Sequence, residues 1–410
     1  MPQPVSLTVA SPASAIVAAV CGPIFAILDC RTTCAHFGHH GEFLWLTSRL
    51  AVVSVASTHK VLAAPEQFDA HKHTGPIRTA CFSPDGTFFV TSGEDKTIKV
   101  WKQTAGPSSW TLSNERVAEK RMVEVCVSRD NATLVCADKH GDVWTFPLEP
   151  ATPPSTKPGD GGSIIVGHVS MVTCAKLAAQ DSLIVTGDRD EHVRVSRFPA
   201  GHIIEAFCLG HTQFVAHLTV IGDERLLASA GGDDFVALWD YRTGQLLARG
   251  DLRAYVEPSH GTIAVRALVH HGHHIAAVVE GTNAVIVFRW NPDTSTLDLA
   301  RRVTTSANLG QVLSAAFDTT GRLWIGAMGG LGVVDLKASA SATESVAVSF
   351  GDLQVAESDL YLFDTLRKDF EWEKDGGEVE DSGSKPKNPK QKKKVPLMYS
   401  FSFSQNRWFD

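Results

Sequence analysis

The sequence predicts an all-β protein, a β-propeller of seven blades followed by a C-terminal extension that is in part disordered. Three observations predict it. Short apolar runs with strand-like alternation recur along the chain, separated by Gly, Pro and Asp-rich turns. They repeat at a step of 43 to 50 residues, the period of four-stranded propeller units. The repetition ends near residue 337, where acidic and then lysine-rich stretches take over.

Four segments align without gaps: "SGEDKTIKVW" (Ser92–Trp101), "ADKHGDVWTF" (Ala137–Phe146), "GDRDEHVRVS" (Gly187–Ser196) and "AGGDDFVALW" (Ala230–Trp239). Each sets a small residue before a polar turn and an alternating strand. Their last residues, 101, 146, 196 and 239, are 45, 50 and 43 apart. Weaker copies end near Phe288 and Leu336. Upstream, a Gly-His pair precedes two apolar strands, as at Gly167 and Gly210. This is the pattern of WD40 repeats, with Trp239–Asp240 the literal Trp-Asp pair. In such units an early His, a strand Ser or Thr, a turn Asp and the closing Trp form a buried hydrogen-bonded set. His73, Asp95 and Trp101 fit one set, and His211, Asp233 and Trp239 fit another. The same frame makes Asp190 the structural turn acid of its unit.

The remaining elements follow in order. Residues 16–64 supply a degenerate first blade. "VSLTV" (Val5–Val9) is expected to close the ring by adding a strand to the last blade, which removes an exposed sheet edge. The propeller is assigned to residues 1–337 and the extension to 338–410. "EPATPPSTKPGDGG" (Glu149–Gly162) reads as a loop between the third and fourth units. In the extension, residues 357–373 read as a short helix and "LMYSFSFSQNRWFD" as an aromatic end.

Composition narrows the function. The chain has 410 residues and a formal net charge of −7. Lys385, Lys387, Lys390, Lys392, Lys393 and Lys394 form one basic run, and setting those six aside leaves the rest at −13. That balance argues against non-specific nucleic-acid binding by the chain outside the run. The basic run suits either an RNA backbone contact or a nuclear import signal, so the expected location is the nucleus and also the cytoplasm. The eight cysteines form no CxxC pair and sit in strand-like runs, as small buried hydrophobes of a reducing compartment do. The first residues lack a basic stretch and are broken by Pro2, Pro4, Pro12 and Pro23, unlike a secretory leader, and no run is long enough for a membrane helix. No GxSxG, P-loop or GxGxxG motif is found. "HHGHH" (His270–His274) falls where a strand-to-strand turn belongs, so no metal site is expected. Enzymatic activity and a bound cofactor are not expected on this chain.

One turn exceeds what a blade needs. Asp188, Arg189, Asp190, Glu191 and His192 are consecutive, and Arg194 follows on the strand, expected to face outward. In order and spacing, "GHVSMVT", "TGDRDEHVRVS", "FCLGHTQFV" and "SAGGDDFVALWD" resemble the WD-repeat non-catalytic subunit of the eukaryotic tRNA guanine-N7 methyltransferase, most closely between residues 135 and 244. The resemblance implies a scaffold that binds and steadies a separate catalytic subunit as a heterodimer. That partner would bind S-adenosylmethionine and methylate a variable-loop guanosine of tRNA. The resemblance further implies that Asp188, Arg189, Glu191, His192 and Arg194 dock the partner, with Lys139 of the preceding unit beside them. Guanidinium groups suit planar pairing with carboxylates. The competing expectation is a WD40 adaptor that presents substrates to a ubiquitin ligase or another assembly.

Overall fold

The computed structural model describes the backbone of the strands between Leu7 and Leu62, most of residues 71–337 with their side chains, the strand Glu344–Val346 and Leu366. The lysine run, the aromatic end and, apart from Leu366, the segment 357–373 lie outside the described residues. The chain divides into two compact units, Met1–Phe370 and Glu371–Asp410.

The described residues form antiparallel sheets with almost no helix, apart from short 3-10 turns such as Arg253–Tyr255. Six four-stranded blades follow one another: blade 1 (77–117), blade 2 (122–167), blade 3 (172–208), blade 4 (215–251), blade 5 (265–304) and blade 6 (312–346). The first strand of each blade lies against the first strand of the next. These first strands form the innermost wall, and the fourth strands lie at the outer edge.

Six blades stand where the sequence predicts seven. Residues 7–62 form a six-stranded meander, not a four-stranded blade. This segment has a Gly-His pair, Gly38–His39, but neither a turn Asp nor a Trp-Asp pair follows it before Leu62. Its first strand, Leu7–Ala10, pairs with Ile16–Cys21, so it does not add a strand to the last blade. It lies instead against the first strands of blades 6 and 1. The loop at 149–162 also moves. It joins the third strand of blade 2, Asp142–Pro147, to the fourth, Ser163–Gly167, and therefore lies inside a blade. The sequence repeat ends on a third strand, so a fourth strand reads as spacer.

The core sits between blades. The second strands are enclosed on both faces, and Phe88–Gly93 and Leu183–Asp188 are buried throughout. Between blades 3 and 4, Cys174, Val185, Val193, Val195, Leu227, Ala237 and Trp239 pack together. Between blades 4 and 5, Leu238, Leu252, Ile275, Ile286 and Phe288 do the same. Burying one such side chain contributes about 1.5–3 kcal/mol. The close approach needs small residues. A Cβ at Gly231 would lie 1.9 Å from the Phe214 carbonyl oxygen. The described cysteines are free thiols, and burial drives Cys126 and Cys174 up to about 12, which leaves them unreactive at neutral pH.

Candidate functional site

Three blades carry the buried histidine set, and blade 3 builds it differently. In blade 1, His73 Nδ1 lies 3.0 Å from Asp95 Oδ2 and its Nε2 lies 2.9 Å from Thr91 Oγ1; Trp101 Nε1 donates to the same hydroxyl at 3.2 Å. In blade 4, His211 meets Asp233 at 2.7 Å and Ser229 at 2.6 Å, and Trp239 donates to Ser229 at 2.7 Å. In blade 3, His168 meets Thr186 at 2.8 Å and Asp188 at 3.0 Å. The acid of this set is Asp188, where the sequence frame places it at Asp190.

Asp188 is therefore buried inside the blade and not displayed to a partner. Its Oδ1 accepts the amides of Asp190 and His192 at 2.9 and 3.0 Å, which shapes the hairpin. Burial alone would raise this carboxyl; bonds to His168 and to the His192 amide outweigh it and hold it below its usual range. Asp138 of blade 2 occupies the same position. Its Oδ1 takes the amides of His140, Gly141 and Asp142, and its Oδ2 accepts from Trp144 Nε1.

The other residues of the charged turn are placed as follows. Asp190 and Glu191 are half-buried at the tip and His192 is exposed. Glu191 is left-handed, with φ +76°. Arg189 donates from Nε to the Leu366 carbonyl at 2.8 Å. Leu366 is itself buried against Phe214, Ala216, Ala264 and Met171. Arg194 is not a free outward cation. It donates to Ser196 Oγ at 3.0 Å, to the Gly167 carbonyl at 3.1 Å and to the Gly201 carbonyl at 2.8 Å. Ser196 stands where blades 1 and 4 have Trp101 and Trp239. Lys139 is exposed at the position that Arg189 holds one blade on: their amides donate to the Arg121 and Met171 carbonyls, each just before a first strand. The two turns thus share one end of neighbouring blades.

No group of three His, Cys, Asp or Glu among the described residues is arranged to hold a metal ion. "HHGHH" forms a hairpin in which His271 pairs with His274 across Gly272 and His273, and His270 Nδ1 meets Thr219 Oγ1 at 2.7 Å. No helix among the described residues is long and apolar enough to cross a membrane.

The family model of the tRNA methyltransferase TRM82 WD40 domain matches residues 55–161 and 157–327, about two thirds of the chain. The chain belongs to the TRM82 WD40 domain family. The tRNA (guanine-N(7)-)-methyltransferase non-catalytic subunit WDR4 of Bos taurus is 30% identical over 260 residues, 61% of this chain and 58% of that protein. WDR4 of Homo sapiens is 29% identical over 259 residues, 62% of this chain and 60% of that protein. The non-catalytic subunit TRM82 of Debaryomyces hansenii is 35% identical over 188 residues, 44% of this chain and 42% of that protein. The match thus spans about three fifths of the length of the two WDR4 relatives. Among solved structures, one titled "Crystal Structure of Mitotic Checkpoint Complex" superposes with a TM-score of 0.59 at 15% identity, over 80% of this chain and 88% of that one. That likeness is one of fold alone. The blades that carry the charged turns of this TRM82-family chain, 2 and 3, lie inside the matched residues.

Proposed function

We propose that this chain is the non-catalytic scaffold subunit of a tRNA guanine-N7 methyltransferase. It binds and steadies a separate catalytic subunit as a heterodimer. That partner holds S-adenosylmethionine and methylates a variable-loop guanosine; this chain contributes no reacting group. The family match across blades 2 and 3, which present the turns of Lys139 and Asp190–His192 on one end, carries the reading. Charge on such a rim steers encounter and sets register more than it sets affinity. The negative balance of the chain outside the run Lys385–Lys394 leaves tRNA contact to the partner and to that run, which also suits nuclear import.

The hairpin geometry selects the variant that tests this. Arg189 and Arg194 are bonded within the fold, so reversing them would disturb the blade. Asp190→Lys with Glu191→Lys reverses the tip instead. The tagged wild type should retain an S-adenosylmethionine-dependent methyltransferase from the native host, identified by mass spectrometry. The variant should retain less of it and lower N7-methylguanosine in tRNA, with an unchanged circular dichroism spectrum. Retention of a ubiquitin-ligase receptor and no methyltransferase by the wild type would replace this reading with the adaptor one.

A further inference from the structure

Seven large apolar side chains are exposed among the described residues, and six of them lie on blades 2 and 3: Ile164, Val169, Ile203, Ile204, Phe207 and Leu209. The seventh, Leu299, lies alone on blade 5. Scattered single apolar residues are ordinary, but a cluster at one place marks an interaction surface. These six occupy the fourth strands of the two blades, Ser163–Gly167 and Ile204–Cys208, and the turns beside them. Fourth strands are the open edges of their sheets, where charge normally discourages pairing. In Ile204–Cys208 the one charged side chain, Glu205, is paired with Arg197.

Phe207 joins the strip to the charged hairpin. Phe207 lies directly across the sheet from Arg194, and its ring meets the edge of His192 at 6.5 Å. Arg194 binds the carbonyls of Gly167 and Gly201, which flank the two stretches carrying the isoleucines. Val169 is fully exposed in the same "GHVSM" loop whose His168 anchors Asp188. The hairpin has little charge left over for affinity, because Asp188, Arg189 and Arg194 are each bonded internally.

We propose that the apolar strip along the outer edges of blades 2 and 3 is the buried centre of the contact with the methyltransferase subunit, and that the charged hairpin is its rim. This rests on the scaffold reading above. The partner's matching surface is apolar at its middle, with acidic and basic groups on the side facing Asp190, Glu191 and His192. Interfaces of this kind draw affinity from a few buried side chains and use rim charges for association rate.

The test uses the methyltransferase that co-purifies with the wild-type chain, separated and titrated back by surface plasmon resonance at two salt concentrations. Phe207→Ala and Ile204→Ala should each weaken binding by about 10- to 100-fold, chiefly through faster dissociation and equally at both salts. Phe207→Leu should stay within a few-fold of wild type. Asp190→Lys with Glu191→Lys should act mainly on association, and less at high salt. Leu299→Ala on blade 5 should do nothing. The strip variants should keep thermal midpoints close to that of wild type, since their side chains lie at the surface. Strip variants that bind as wild type does, while wild type binds the enzyme, overturn the strip and leave the scaffold reading standing. A wild type that forms dimers alone, made monomeric by Phe207→Ala, gives the strip to a second copy and overturns the proposal. A wild type that retains no methyltransferase overturns the scaffold reading, and the strip's assigned occupant falls with it.

Discussion

Asp188 and Asp190 stand two positions apart and have different tasks. Asp188 is enclosed, bonded to His168 and to two backbone amides, whereas Asp190 is half-exposed at a turn. Removing a buried carboxylate orphans its donors, so Asp188→Ala should lower stability by about 2–4 kcal/mol. Asp190→Ala should cost no more than about 1 kcal/mol. Urea denaturation midpoints of the two variants would check the order. The sequence frame reverses this order because Asp95 and Asp233 lie 22 residues after their histidines, and Asp190 keeps that spacing from His168. Distance along the chain does not measure reach across a turn. An acid 20 residues on attains the same ring from the end of the strand. A signal was present in Asp138, which takes the same position in the neighbouring blade. Arg194 shows a related limit: alternation sends its side chain off the strand, but the vacancy left by Ser196 in place of Trp lets it fold onto nearby carbonyls.

Among elements, the hairpin of blade 3 holds a residue against its backbone preference. The matching turn position has φ of +59° at Lys96, +117° at Gly141 and +76° at Glu191. A side chain in that region costs roughly 1–2 kcal/mol relative to glycine. Glu191→Gly should therefore preserve stability or raise it by up to about 1 kcal/mol, while reducing retention of the partner. Thermal unfolding and pull-down on the same preparations would check both. Strand order within blades was legible because second and third strands are apolar and turn-bounded, as in "FFVTSG" and "LIVTGD". Fourth strands were harder to read. They are half-exposed, so their alternation is weak, and an isoleucine pair there looks like core. The apolar strip was missed for that reason. The charged turn was visible because five ionisable residues in a row are rare in this chain.

At the scale of the whole molecule, acid sensitivity comes from the inner wall. Burial, aided by the charges of Lys176 and Arg266, lowers His217 to about 3; burial and His271 lower His270 to about 4. Both are neutral in the fold and free to take a proton when unfolded, near pH 6.5. Their contribution is complete above that value and is lost as pH falls toward 4, by about 1.4 kcal/mol per pH unit for each group. The thermal midpoint should fall between pH 7 and pH 5, and His217→Gln should flatten the slope. The period of the repeats made the propeller legible, but the number of blades was not, because the first 62 residues carry a Gly-His pair without the turn Asp and Trp-Asp that complete a repeat. Their placement also determines how the ring is fastened. Every neighbouring pair of blades from 1 to 6 is tied by the chain passing between them, and the chain also runs from Leu62 toward blade 1. Between Leu7–Ala10 and Val312–Phe317 neither the covalent chain nor a shared ladder crosses. That junction works as a butted joint in a hoop, held by contact alone. Springing it parts two faces and unravels no sheet, so under strain the hoop should gape there first, and blades 2 and 3, on the far arc, should keep their shape while it does.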